Sequence, residues 1–252
     1  MQKSIARWLI TVVCGAAYAH AQALPTAESI LDRFVEATGG KAAYQQHTSE
    51  VMTGTIAFPT PGLTGRLTRY ASAPDKEYSV VELGPIGKIE SGASGGVVWE
   101  RSALLGPRLK SGDEKAQAGR EAQFRAPVEW RRLFPKAETL SVETVNGEKC
   151  YKVALTPASG KPETRFYSRK SGLLLKAVAT AVSPMGEIAV EVEVSDYKQF
   201  GGVLYPTRSR QQTGGQEMVI TITDVRINEA IPPQHFELPP EIQALISKAA
   251  AK

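Results

Sequence analysis

Cysteine is almost absent from this sequence of 252 residues, which contains only Cys14 and Cys150. Cys14 falls in the apolar N-terminal stretch, so loss of that stretch would leave Cys150 alone. One cysteine cannot form an internal disulfide, whatever the redox state of the compartment. Cys150 alternates with Lys152 in a strand pattern whose other face carries Tyr151 and Val153. We therefore expect a small structural residue there and not a catalytic thiol.

Histidine is nearly as scarce, and the motifs of several enzyme classes are missing. Of the three histidines, His20 falls in the N-terminal stretch. His47 and His235 stand far apart, and neither belongs to an HExxH spacing, which predicts no metal site. There is no Gly-x-Ser-x-Gly elbow, and the glycines of residues 91–96 are not followed by Lys-Ser or Lys-Thr, so they predict a turn. Glu187 and Glu193 share one strand face, where solvation is expected and glycosidase chemistry is not. The sequence predicts a protein that is not an enzyme and needs no metal or cofactor.

Long apolar runs are also missing, apart from one near the N-terminus. Lys3 and Arg7 precede an apolar stretch over residues 8–17, and alternating alanines follow it up to Ala23. This pattern is typical of a cleavable signal peptide, here residues 1–23, and the run is too short to span a membrane. A lone N-terminal membrane anchor is the alternative interpretation. We predict a protein that works outside the cytoplasm, in a bacterial periplasm.

The charge of the chain is nearly balanced, with a formal net value of +4 at pH 7. A value this small argues against a nucleic-acid partner, because such proteins carry strong basic stripes. The densest basic region contains Arg120, Arg125, Arg131 and Arg132. Such a cluster is normally a solvated helix face. In a protein that handles lipid, it would also suit transient contact with anionic headgroups at a membrane surface.

Two spacings of apolar residues organise the remainder, residues 24–252. Apolar positions from Ala27 to Val35 recur at helical spacing and predict a first helix that stops at Gly39-Gly40. From residue 47 the period changes to two, and about eleven short strands follow, interrupted by a helix over residues 113–124. The predicted fold is mainly β with a few helices. It is one domain built on a single large curved antiparallel sheet, with helices covering the concave face.

Three segments resemble a known family in their order and spacing. They are Gly95-Gly96-Val97-Val98-Trp99-Glu100, then Asp196-Tyr197-Lys198 followed by Gly202-Val203-Leu204-Tyr205-Pro206, and finally Phe236-Glu237-Leu238-Pro239. These segments are similar to parts of periplasmic outer-membrane lipoprotein-sorting proteins, and the likeness extends from Ala27 to Ile246. The resemblance implies the LolA/LolB-like fold, an incomplete β-barrel whose hydrophobic concave face holds acyl chains beneath a lid of helices.

The same resemblance implies a function, that of a monomeric periplasmic carrier or binder of lipid or lipoprotein acyl chains. Apolar strand positions would then line the cavity: Ile56, Leu67, Trp99, Ile188, Val190, Val192, Val194, Met218, Ile220 and Ile222. These side chains would suit a packed core equally well, and the sequence leaves both interpretations open. The alternative function is an envelope sensor or protein-interaction module on the same scaffold, with a packed interior and no lipid cargo.

Overall fold

The structure is a computed structural model that describes residues 23–183 and 186–250. The predicted signal peptide therefore lies outside the described residues, except for Ala23. The middle of the turn predicted over residues 183–186 lies outside them as well. Within the described ranges, no helix is both long enough and apolar enough to cross a membrane.

The described residues form thirteen strands in one antiparallel sheet. In chain order they are β1 (Ser49–Phe58), β2 (Leu63–Ser72), β3 (Lys76–Glu82), β4 (Lys88–Ser94), β5 (Val97–Ser102), β6 (Gly106–Leu109), β7 (Lys136–Val145), β8 (Glu148–Thr156), β9 (Glu163–Ser168), β10 (Leu174–Ser183), β11 (Gly186–Phe200), β12 (Val203–Thr213) and β13 (Gln216–Ile227). Across the sheet the order is β6-β5-β4-β3-β2-β1-β13-β12-β11-β10-β9-β8-β7. Strands β6 and β7 are the edges, and the sheet does not close. The predicted fold class is confirmed, with thirteen strands where about eleven were expected.

Five α-helices are present in the same part of the chain. They are α1 (Ala27–Ala37), α2 (Gly40–Gln46), α3 (Gly112–Glu121), α4 (Trp130–Leu133) and α5 (Pro240–Ala250). The first begins where Thr26 caps it, because the Thr26 hydroxyl accepts the Ser29 N–H at 3.2 Å. The helix predicted over residues 113–124 ends three residues early. Beyond its end, the Phe124 N–H donates to the carbonyl of Pro74 and not to a helical carbonyl.

Helices α1 to α4 cover the inner, concave face of the sheet. The largest core cluster joins α1 and α4 to strands β8, β9 and β12; it includes Ile30, Leu31, Val35, Trp130, Leu133, Val153, Leu155, Tyr167 and Val203. Helix α3 crosses the open side of the half-barrel, since it contacts both β5 and β10. Ala118 of α3 and the following Ala122 pack on Ala93 and Val98 of the sheet.

The C-terminal segment packs on the outer, convex face. Ile242 of α5 is completely buried, and Arg101 pairs with Glu241 at 3.2 Å. Ahead of α5, the His235 ring stacks on Tyr70 with centroids 4.1 Å apart. The sheet is therefore covered on both faces at its β3–β6 end, by helix α3 inside and by the C-terminal segment outside.

Cys150 is fully buried on the outer face of the other half of the sheet, beside Val145 and Phe166. Burial raises the pKa of its thiol, so the reactive thiolate is disfavoured. This environment agrees with the expectation that Cys150 is a structural residue.

Candidate ligand-binding cavity

A cavity of about 450 Å³ lies between the inner face of the sheet and the helices. Strands β1, β2, β12 and β13 form one wall, and α1, α2 and the segment after α3 form the other. The lining is mostly apolar: Phe34, Met52, Leu67, Phe124, Pro127, Val203, Leu204, Pro206, Ile220 and Ile222. Apolar clefts of this size are typical of small-molecule binding sites.

Strand register explains why these apolar side chains meet. Leu67 of β2 pairs with Gly54 of β1, which pairs in turn with Ile222 of β13. Ile220 pairs with Ile56 in the same way. Because directly paired residues project from the same side of an antiparallel sheet, all of these positions face inward. Gly54 carries no side chain, which allows β13 to approach closely: a β-carbon there would lie 2.4 Å from the carbonyl oxygen of Thr221.

One part of the wall is charged. Arg69 donates to Glu50 at 3.0 Å and to Glu77 at 2.7 Å, while the Tyr205 hydroxyl donates to the second oxygen of Glu50 at 2.8 Å. Glu50 is only 5% exposed, so these donors replace the water that its carboxylate has lost. Burial and the adjacent Glu50 charge raise the pKa of Tyr205 above its ordinary value. The hydroxyl therefore keeps its proton and remains a donor.

His47 closes the same end of the cavity, directly after α2. Its Nε2 lies 2.7 Å from the carbonyl oxygen of Gly201, in the turn between β11 and β12. Because a carbonyl can only accept, this contact places a proton on Nε2. Nδ1 lies 3.3 Å from the Tyr205 hydroxyl. The ring thus joins α2 to the sheet at the base of the cavity.

A second cavity, of about 400 Å³, lies between α3 and the hairpin of β4 and β5. Its lining includes the charged residues Asp75, Lys115, Arg120 and Arg132. Charged walls of this kind are poorly suited to a hydrocarbon chain, so the apolar cavity is the better candidate site. No group of three histidine, cysteine or carboxylate side chains within residues 23–183 and 186–250 is placed to hold a metal ion.

Five of the predicted lining residues fall around this cavity. Leu67, Ile220 and Ile222 line it directly. Ile56 pairs with Ile220 on the same face and is 5% exposed. Met218 pairs with Gln211 and shares that face too. The structure thus brings predicted residues of β1 and β2 together with predicted residues of β13, which lies far from them in the chain.

The four predicted residues of β11 also face inward, but farther along the sheet. Val194 pairs with Ser209, which lines the cavity. Strand alternation places Val190 and Val192 on the same side as Val194, and both are partly exposed. Ile188 follows at the end of the strand with 39% of its surface exposed. These residues extend the apolar inner face beyond the 450 Å³ cavity.

The prediction for Trp99 requires a correction. Val98 is the inward residue of β5, since it packs against Ala122, so strand alternation turns Trp99 to the convex face. There its indole lies against Gly92, where a β-carbon would come within 2.6 Å of Nε1, and its ring is 6.2 Å from that of Tyr78. Trp99 is a buried residue of the outer layer and does not line the cavity.

The polar part of the wall was not predicted from the sequence. The sequence of β1 contained an indication of it, because Glu50 is two residues before Met52 and therefore lies on the same face of the strand. A carboxylate at an inward position needs a buried partner. Arg69 of β2 pairs with Met52, lies on the same face, and supplies that partner.

The four arginines of the basic region all have partners within the protein. Arg120 donates to the carbonyl of Ser159 and Arg125 to the carbonyls of Gln45 and His47, while Arg131 pairs with Asp32 and Arg132 with Glu129. The side chains of Arg131 and Arg132 are still 60% and 58% exposed. Contact between this region and lipid headgroups stays a prediction.

No protein-family model matches the sequence, and no curated protein is found to be similar to it. Several solved structures share its architecture, including three from different organisms. A LolA superfamily protein from Nitrosomonas europaea superposes with a TM-score of 0.58 at 16% identity, covering 85% of this chain and 99% of that one. A DUF1329 family protein from Desulfovibrio piger gives 0.56 at 16% identity, with coverages of 84% and 97%.

The third is an outer membrane lipoprotein-sorting protein domain from Vibrio parahaemolyticus. It gives a TM-score of 0.53 at 14% identity and covers 84% of this chain and 97% of that one. Each of these likenesses spans nearly the whole of the other chain. The chain therefore has a LolA-like fold, as the resemblance of its sequence motifs implied.

Proposed function

We propose that this protein is a periplasmic, non-catalytic carrier or binder of lipid or lipoprotein acyl chains. The observation that carries the proposal is the mainly aliphatic and aromatic cavity of about 450 Å³ on the inner face of the half-barrel. Transfer of each methylene group from water into such a space contributes about 0.8 kcal/mol. One acyl chain therefore binds usefully without covalent chemistry or a cofactor.

The charged part of the wall would orient the ligand. An acyl chain ends in an ester, amide or carboxylate group, which can accept hydrogen bonds. Arg69 is held by two glutamates, yet its side chain is still 25% exposed. A few polar groups in an otherwise apolar cavity typically select how a ligand lies in it. We expect the polar end of the ligand to lie near Arg69 and its hydrocarbon to lie against Leu67 and Ile220.

Entry and release would involve α3. This helix contains no fully buried residue, whereas α1 buries four. Elements with few buried apolar contacts open at the lowest free-energy cost. Because α3 also crosses the open side of the half-barrel, its displacement would uncover the inner face while α1 stays in place.

An envelope sensor or protein-interaction module on the same scaffold is the alternative function. In that case the interior would be expected to be packed. The apolar cavity favours the carrier over this alternative. A protein partner that still binds after the cavity is blocked would reverse the preference.

The first test combines native mass spectrometry with titration of a fluorescent fatty acid, using protein purified without detergent. Ile220→Glu places a charge in the cavity wall. Thr221→Glu is its matched control, because Thr221 pairs with Arg208 on the outer face. We expect extractable lipid mass on the wild type, and an affinity at least about tenfold weaker for Ile220→Glu. Thr221→Glu should bind like the wild type.

Circular dichroism separates loss of binding from loss of the fold, and Leu67→Glu supplies an independent variant on β2, in the same wall. A native mass equal to that of the wild-type protein alone, together with no uptake of the fluorescent fatty acid, would reject the carrier proposal. Equal uptake by a folded Ile220→Glu protein would reject this cavity as the site.

A further inference from the structure

Four hairpin turns lie together at the end of the sheet that faces away from α1 and α2. In an antiparallel meander, alternate turns fall at alternate ends. The four turns at this end that are consecutive from edge strand β6 are residues 59–62, 83–87, 103–105 and 214–215; we call them the apical turns. The turn between β8 and β9, which carries Lys161, lies at the same end but nearer edge strand β7. None of the residues in the apical turns is charged, although 22% of the whole chain is. Exposed turns usually carry charged and polar residues, so this composition is unusual.

The apical turns also concentrate exposed aliphatic side chains. Leu104 is 87% exposed, Ile86 53% and Leu105 41%. Just below them, Ile89 and Ile188 are 37% and 39% exposed at the apical ends of β4 and β11. Five of the seven large hydrophobic residues that are exposed within the described ranges therefore lie at this one end. Scattered exposed leucines need no explanation, but a group of them does.

An apolar path connects the apical turns to the cavity. Ile89 pairs with Val81 on β3, and Val81 pairs with Leu67 on β2. All three side chains project from the inner face, and Leu67 lines the cavity. A hydrocarbon chain that enters at the apical end would remain in contact with aliphatic groups as far as the cavity.

We infer that the apical turns dock this protein on the surface of a lipid bilayer. Ile86, Leu104 and Leu105 enter the headgroup and acyl boundary, and the open end of the half-barrel faces the membrane. The inference rests on the proposed function, because it names the structure with which the carrier exchanges its acyl cargo.

A bilayer fits these turns better than a protein partner does. The exposed aliphatic groups stand on separate hairpin tips, whereas a stable protein interface needs a continuous surface of about 800 Å² on each partner. Charged groups are costly within the apolar layer, and the apical turns have none. The nearest exposed cation is Lys88, which follows Gly87 directly, is 62% exposed and pairs with Glu82 at 2.9 Å. It stands at the level where headgroups would lie.

The two exposed arginines of the basic region, Arg131 and Arg132, lie towards the other end of the molecule, so the two possible membrane contacts can be separated. Arg131 pairs with Asp32 of α1. The neighbouring Arg33 donates to the carbonyls of Arg169 and Lys170, in the turn between β9 and β10 at the opposite end of the sheet. A membrane cannot easily touch both ends at once.

The test is flotation of the purified protein with vesicles of phosphatidylethanolamine containing a minor share of phosphatidylglycerol. The double variant Ile86→Asp/Leu104→Asp should lose at least about tenfold in vesicle partitioning. Leu140→Asp is the matched control, since Leu140 is 45% exposed on edge strand β7, outside the apical turns. It should float like the wild type. A Leu104→Trp protein should show a blue-shifted emission when vesicles are added.

Three results would overturn the inference. The first is a wild-type protein that does not float with the vesicles. The second is a loss of vesicle partitioning for Leu140→Asp equal to that of the apical variant. The third is a loss of partitioning for Arg131→Ala/Arg132→Ala with no loss for the apical variant. Uptake of monomeric fatty acid from solution is measured in parallel, because it depends on the cavity alone. An apical variant that still takes up fatty acid but no longer floats with vesicles supports docking. A wild type that takes up no fatty acid rejects the carrier proposal, and the flotation result then decides on docking by itself.

Discussion

At the scale of single residues, the inner face of this sheet combines hydrocarbon with a buried charge. Glu50 is nearly inaccessible to water and depends on Arg69 and Tyr205 for its hydrogen bonds. A buried ion pair adds little net stability over an apolar substitute, but removal of one partner leaves an uncompensated charge. This asymmetry makes the role of the pair measurable.

The variant Arg69→Met should lower the free energy of unfolding by about 3 kcal/mol, because the carboxylate of Glu50 then stays buried with Tyr205 as its remaining donor. Glu50→Leu/Arg69→Met should regain most of that loss, since it removes the buried Glu50 together with Arg69 and leaves only Glu77, whose side chain is 21% exposed to water. Urea denaturation of the wild type, the two single variants and the double variant completes a double-mutant cycle. A double variant no more stable than Arg69→Met would show that Glu50 does not depend on Arg69.

Strand alternation predicted which residues share a face of a strand, but it did not predict which face is the concave one. Alternation correctly grouped Val190, Val192 and Val194 on one face. It could not reveal which parity of β5 faces the helices, so Trp99 was placed inside although it lies outside. Each strand offers two faces, and its neighbours in space decide which of them is concave.

At the scale of elements, the helices are seated on the sheet through one close backbone contact. Gly39 joins α1 to α2 with a φ of +128°. A β-carbon there would lie 2.4 Å from the carbonyl oxygen of Gly202. Beside this contact, the Leu204 N–H donates to the carbonyl of Thr38 at 2.9 Å. The α1–α2 junction therefore rests directly on the turn between β11 and β12, at the base of the cavity.

Gly39→Ala should destabilise the protein by more than about 2 kcal/mol, because it adds a clash with backbone atoms to the cost of a positive φ. Gly62→Ala is the control. Gly62 also has a positive φ, of +84°, but no atom lies within 4 Å of a β-carbon built there, so its cost should be about 1 kcal/mol. Chemical denaturation measures both. Equal losses would mean that the contact with Gly202 contributes nothing.

At the scale of the whole molecule, the two halves of the sheet meet through the pairing of β1 with β13. Thr53 and Thr223, 170 residues apart in sequence, are hydrogen-bonded across this junction. The apolar cavity lies against these central strands and their neighbours. Its volume therefore depends on the complete fold, so a ligand that fills it should stabilise the folded state as a whole.

Palmitic acid at a hundredfold excess over its dissociation constant should stabilise the wild type by about 2.7 kcal/mol. For a chain of this length, such a gain corresponds to a rise in Tm of about 5–10 °C. Differential scanning calorimetry at several ligand concentrations checks the expected logarithmic dependence. Ile220→Glu should show no such rise, and a rise of equal size in that variant would place the ligand elsewhere.

The sequence by itself determined the local structure of this protein. The apolar period of two, the glycine-rich turns and the helical spacing of Ala27 to Val35 predicted an antiparallel β-fold with a few helices, because these preferences act within a few residues of the chain. Motif order implied the LolA-like fold. Only the tertiary structure decided that the interior contains a cavity, that Glu50 meets Arg69 and Tyr205, and that the uncharged turns gather at one end. Those features arise from residues far apart in the chain, whose distances and facing sides are set when the strands pair and the sheet curves around the helices.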